Sequence, residues 1–380
     1  MSERVTAVGE MTSLWDRKLR AGQRLVIGIS GHEVTEDERK LIRELRPAGF
    51  ILFARNVAEP AQVRELNREL ASLVDPAHPA LLTVDQEGGR VQRVREPATV
   101  WPPMALVGRA DEWREKREPP PTAHAGQVAR GLARELRALG FNLNFGPVAD
   151  VNSNPKNPVI GDRSFGADPK AVSALVAAFV EGTQAEGVIA CAKHFPGHGD
   201  TSVDSHLDLP IVEREDRDLR EIEIPPFAAA VRAGVGSVMT SHVVYPAWDE
   251  SWPATLSDRI APRLLRKEMG FEGVLFSDDL EMKALAGRWP LPEILRRATG
   301  ATVDVFLACK DPLLQIAAFE ELVRQQEEDG AADRAATDAA GRVQAMRERF
   351  LTGKREDVAL TELGRRDHRA LADRVRERSA

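Results

Sequence analysis

Eight short apolar runs, rich in β-branched residues, recur along the 380 residues, and helix-period segments separate most of them. The runs are RLVIGI (24–29), GFILFA (49–54), ALLTVD (80–85), FNLNFGPV (141–148), GVIACAKH (187–194), SVMTSHVV (237–244), GVLFSDD (273–279) and VDVFLAC (303–309). Each has strand length, and most end in Gly, Asp, His or Asn. Between them, Thr35 and Glu38 form a capping box ahead of Leu41, Ile42 and Leu45. Val63, Leu66, Leu70 and Leu73 share one helical face, as do Val128, Leu132 and Leu136, with Gly140 as the stop. Asp168-Pro169 caps a helix through Val172, Leu175, Val176 and Phe179. Helices also fit 259–269, 290–299 and 312–328.

Strand and helix alternating eight times predict an α/β chain folded as a (β/α)8 TIM-type barrel in a single domain. A doubly wound sheet is the rival, but no G-x-G-x-x-G or P-loop follows the first strand. No repeat of solenoid period is present. Residues 112–122, EWREKREPPPT, read as a solvated loop. The charged, helical region after about 329 reads as packing outside the barrel. The expected units are a barrel domain over 1–350 and a helical C-terminal extension over 351–380.

Composition narrows the function classes. Net charge is −7, so no basic surface points to nucleic acid or an anionic membrane. No apolar run approaches the ~20 residues of a bilayer span, and the N-terminus lacks a signal-peptide core. Cys191 and Cys309 both lie in apolar runs. They read as small core hydrophobes in a reducing compartment, and a cytoplasmic address is expected.

In a barrel, chemistry collects at the C-terminal strand ends. There the sequence places Asp85, Lys193-His194, His242 and Asp278-Asp279. Three of the eight histidines fall within 194–206, in KHFPGHGDTSVDSH. Any one of these residues could be the polar edge of a core strand, or a helix cap. A whole set at one face is hard to explain that way. Two chemistries remain open. His194, His198 and His206 with Asp200 and Asp204 could bind a metal, although Pro196, Gly197 and Gly199 prevent a helix that would align the first two. Alternatively, Asp204 orients His206 as a proton carrier, and Asp278 is a nucleophile.

Several strings resemble glycoside hydrolase family 3, in particular its β-N-acetylglucosaminidases of bacterial cell-wall recycling. They are LFARN (52–56), DQEGGRVQR (85–93), GPVADV (146–151), IGDRSF (160–165), KHFPGHGDTSVDSHLDLP (193–210) and GFEGVLFSDDLEM (270–282). The resemblance runs from about residue 20 to 350. It implies a retaining double displacement on a terminal β-linked GlcNAc, with Asp278 as nucleophile. His206 would be the acid/base and Asp204 its orienter, in place of the usual second carboxylate. Sugar contacts would fall to Asp85, Arg163, Lys193 and His194. Asp279 is the weaker nucleophile candidate, and His198 and Asp200 would shape the loop. The segment after Met282 departs from the family pattern. The tail resembles a linker helix of longer members, and a single-domain form is expected. The expected ligand is a muropeptide or GlcNAc disaccharide, with no metal, cofactor, nucleic acid or membrane partner and a monomeric chain. Competing readings are a metal-dependent barrel hydrolase, a phosphorylase of the same family and a silent sugar-binding barrel.

Overall fold

A computed structural model describes residues 14–111, 123–201, 209–353 and 356–379. All eight expected runs form strands: β1 Leu25–Gly28, β2 Gly49–Leu52, β3 Leu81–Val84, β4 Leu143–Asn144, β5 Ile189–Phe195, β6 Ser237–Thr240, β7 Val274–Asp279 and β8 Val305–Ala308. They pair in parallel, in sequence order, and β8 returns to β1 with Leu25 opposite Phe306, closing the barrel. The fold is therefore a (β/α)8 barrel. Strand β4 is the shortest because the chain leaves regular pairing at Gly146-Pro147, where proline offers no N–H to a ladder; Val148 rejoins β5 by an isolated bridge to Lys193.

Alternation along the strands sorts two cores. Val26, Ile51, Cys191, Met239 and Phe276 point inward and fill the barrel. Leu25, Phe50, Leu82, Ala190 and Leu275 point outward beneath the helices. Inside, Phe145 and Phe276 meet edge to face at 5.4 Å. Each fully buried large side chain of this kind contributes ~1.5–3 kcal/mol relative to exposure.

The crossover helices are α1 Glu36–Leu45, α2 Pro60–Ser72, α3 Ala123–Ala138, α4 Pro169–Ala185, α5 Ile224–Arg232, α6 Ala261–Glu268, α7 Leu291–Gly300 and α8 Pro312–Glu328. The capping box of α1 forms, with Thr35 Oγ1 accepting from Glu38 N at 3.2 Å and Thr35 N donating to Glu38 Oε2 at 2.8 Å. Asp168 caps α4 by accepting from Lys170 N and Ala171 N. Gly140 takes φ 87°, the left-handed stop expected after α3. Helix α6 departs from expectation: it is wound as a π-helix, not an α-helix.

Two further helices follow. Helix α9, Gly330–Leu351, caps the bottom of the barrel by adding Val343, Met346 and Phe350 to the interior core. Its Arg347 is buried and donates to the carbonyls of Pro79 at 2.8 Å and Ala48 at 3.0 Å. Helix α10, Arg366–Ser379, lies outside the barrel against Met104–Ala110 and α3. No described helix is long and apolar enough to cross a membrane. The loop expected at 112–122 lies outside the described residues.

Candidate active site

At the C-terminal strand ends lies a pocket of about 260 Å³. Seven of the sequence-selected residues line it: Asp85, Arg163, Lys193, His194, His198, Asp278 and Asp279. Asp85 follows β3, Lys193 and His194 lie in the last residues of β5, Asp278 is next to last in β7, and Arg163 closes a short 3-10 turn, Gly161–Arg163, in the connection after β4. Asp204 and His206 lie outside the described residues.

The polar wall is a lattice of alternating charge. Lys193 Nζ stands 2.7 Å from Asp85 Oδ1 and 2.6 Å from Glu87 Oε1. Glu87 takes both forks of Arg163, at 2.8 and 2.9 Å. Arg93 Nη2 reaches Asp85 Oδ2 at 3.3 Å. Burial alone would push Glu87 toward its neutral form, but Arg163 and Lys193 outweigh it and hold the carboxyl far below the usual range. Burial likewise works against the Lys193 ammonium, and Asp85 and Glu87 reverse that effect.

His194 is fixed from behind. Asp150, fully buried, accepts from its Nδ1 at 2.7 Å and from its backbone N at 3.1 Å. Its Nε2 lies 3.4 Å from Arg163 Nη2. Asp150 also accepts from His198 N at 2.7 Å, so one carboxylate shapes the whole turn. His198 lines the pocket and contacts Thr201 Oγ1 through Nδ1 at 2.8 Å. Burial and the neighbouring His194 bring its pKa down to about 4, so it is neutral at pH 7. Asp200 points elsewhere, into an ion pair with Arg214.

The paired carboxylates of β7 are electrically unlike. Burial opposes ionisation of Asp278, but His242, His194, the Asp279 N–H at 2.8 Å and Lys193 hold it below the ordinary aspartate range. Asp279 is pushed by burial up to about 6. One of its oxygens accepts from Glu281 N, a local cap. His242 stands behind this pair: Nε2 is 3.1 Å from the Asp279 carbonyl and Nδ1 2.8 Å from Thr255 Oγ1. The apolar floor includes Phe145, Met239 and Leu307, and also Cys309, which is thus a pocket residue as well as a core one. Among the described residues, no group of three or more His, Cys, Asp and Glu side chains is spaced to hold a metal ion.

Glu87, Arg93 and Asp150 escaped selection from sequence. All three lie within the strings quoted above, but Glu87 meets Arg163 across 76 residues and Asp150 meets His194 across 44. Only the fold reveals those partners.

Residues 8–346 match the glycosyl hydrolase family 3 N terminal domain. A beta-hexosaminidase of Nitrosomonas eutropha is 38% identical over 289 residues, covering 76% of this chain and 81% of the relative. One from Thiobacillus denitrificans is 40% identical over 294 residues, covering 76% and 79%. Among solved structures, a family 3 β-N-acetylglucosaminidase from Paenibacillus superposes with TM-score 0.86 at 37% identity, over 95% of this chain and 68% of that one. NagZ from Neisseria gonorrhoeae, in complex with N-trifluoroacetyl-D-glucosamine, superposes with TM-score 0.77 at 33% identity, over 94% and 98%. The chain belongs to glycoside hydrolase family 3 and is a glycosidase of the beta-hexosaminidase type.

Proposed function

We propose that this glycosidase is a retaining exo-β-N-acetylglucosaminidase that removes terminal GlcNAc from peptidoglycan fragments such as GlcNAc–anhydro-MurNAc species. The observation that carries the reading is the Asp278 carboxylate, held ionised on the rigid end of β7 inside a pocket of hydroxyl-binding groups. Such a carboxylate is ready to attack an anomeric carbon. Asp85 would accept protons from two sugar hydroxyls, while Arg163, Lys193 and His194 would contact hydroxyl or carbonyl oxygens. The bound N-trifluoroacetyl-glucosamine of the gonococcal NagZ supports GlcNAc as the sugar.

In the first step Asp278 Oδ attacks C1, the bond to the aglycone oxygen breaks, and His206 protonates that oxygen. In the second, His206 takes a proton from water, the water oxygen attacks C1, and Asp278 leaves. Asp204 orients the imidazole. The chain is expected to act as a monomer in the cytoplasm; its free, buried cysteines support a reducing compartment.

The test is mechanism-based labelling. A 2-fluoro or 5-fluoro glycosyl donor should attach to Asp278, and Asp278→Ala should lose at least ~10⁴-fold in turnover. A label on Asp279, or none within the barrel, overturns the assignment. Product analysis on GlcNAc–anhydro-MurNAc, with and without phosphate, fixes the substrate and whether water is the acceptor.

A further inference from the structure

One wall of the pocket is a two-stranded ribbon, Gln86–Gly88 paired with Val91–Gln92, flanked by Asp85 and Arg93. A ribbon this short is marginal on its own, so its geometry depends on what backs it. The backing layer is 95–101. Gln92 Oε1 accepts from Trp101 N at 3.0 Å, and Gln92 Nε2 donates to the Thr99 carbonyl at 2.8 Å. Gly89 N donates to the Trp101 carbonyl at 2.9 Å.

That layer is gripped in turn from outside. Glu135 of α3, 3% exposed, accepts from Thr99 N at 3.0 Å and Thr99 Oγ1 at 2.6 Å. Its Oε1 also accepts from two groups of the C-terminal segment, Gly364 N at 3.0 Å and His368 Nδ1 at 2.9 Å. The His368 ring rests on Trp101 with centroids 5.7 Å apart. Arg369 donates to the Pro97 carbonyl at 3.0 Å, and Arg376 donates to that of Val100. Apart from Ser379 Oγ, which donates to the Leu106 carbonyl at 2.7 Å, these links from α10 end on the layer behind the ribbon or on the carboxyl that holds it.

We propose that α10 is a working part of the active site, and that His368, acting through Glu135 and Thr99, is a positioning residue for the ribbon carrying Glu87 and flanked by Asp85 and Arg93. A hydrogen bond to a buried carboxyl group is among the stronger side-chain contacts. Without His368, Glu135 loses one of its donors and can follow Thr99 outward. Displacing site groups by as little as an ångström degrades binding and reaction geometry. The helix that sequence assigns to an extension thereby sets the stiffness of one pocket wall.

The inference rests on reading the pocket as the sugar site. The test compares wild type, His368→Ala and His368→Asn, whose amide N–H can replace Nδ1–H. The readouts are kinetics on an aryl β-GlcNAc, inhibition by free GlcNAc, thermal unfolding and amide exchange over 86–101. His368→Ala should raise KM and weaken GlcNAc inhibition about tenfold, leave kcat within about twofold and speed exchange in 86–101, and His368→Asn should recover most of this. If His368→Ala does not fold, Arg376→Ala carries the same expectation at smaller size. Unchanged KM and exchange overturn the proposal. So does a fall in kcat and Tm with no selective change at 86–101. A wild type inert on β-GlcNAc would fail the substrate reading, and the exchange data would still decide the positioning one.

Discussion

Asp278 and Asp279 share a strand end, yet their surroundings push their proton affinities apart, the former down and the latter up to about 6. Divergence of this kind separates roles within a carboxylate pair. A third carboxyl lies behind the site. Glu223 is 1% exposed, accepts from Ser153 Oγ at 3.2 Å, and presents an Oε2 with no partner among the described residues. Gly197 packs so closely on it that a Cβ there would overlap the carboxyl. Burial, then Asp150, lift Glu223 from 4.5 to about 8, against a smaller opposing effect of Ser153 and Arg214. The folded chain thus keeps a proton that the unfolded chain releases. This contribution to stability is fully present below about 4.5 and is lost as pH rises toward 8. Wild type should therefore lose stability relative to Glu223→Gln with a slope of up to ~1.4 kcal/mol per pH unit across that window. Urea melts at several pH values check this, and parallel pH profiles for the two proteins would refute it.

Among the elements, caps are the features most completely written in sequence, because donor and acceptor lie three residues apart. Thr35→Ala breaks the capping box of α1 and should cost ~1 kcal/mol, read as a lower Tm with kinetics unchanged. A drop in kcat/KM would mean that α1 reaches the pocket. The eight strands were legible for a similar reason: each is a local apolar run whose burial on both faces needs no knowledge of its neighbours. The π-winding of α6 was not legible, since a helical apolar pattern does not distinguish i→i+4 from i→i+5 bonding. Strand-end position was enough to find Asp85, Lys193 and Asp278. It could not find Asp150, whose carboxylate holds the His194 backbone and ring and the backbone of His198 in the turn after β5. His242 was selected for its position at β6, and the fold turns it to the back of the Asp278-Asp279 pair.

Across the whole molecule, the two ends of the barrel carry different burdens. The bottom is sealed by Val343, Met346 and Phe350 of α9. Met346→Ala should cost ~2–5 kcal/mol by leaving a cavity in the interior core, visible as a lower Tm with KM and kcat retained at temperatures where the variant is folded. A changed KM would show that the bottom layer communicates with the top. Sequence indicated that the region after 329 is helical, but not that one helix stops the barrel and the next braces a pocket wall, because both functions are defined by surfaces hundreds of residues earlier. At the top, the pocket wall carries four carboxylates and four basic side chains, most of them already engaged with one another or with nearby partners. An arriving charged glycoside therefore meets little net field, and its capture owes little to long-range attraction. Ionic strength becomes a diagnostic: kcat/KM for an anionic aryl glycoside should vary less than about twofold between roughly 0.05 and 0.5 M salt. A steep fall with added salt would instead reveal that encounter is guided by charge, and such a lattice would then have to open before the sugar enters.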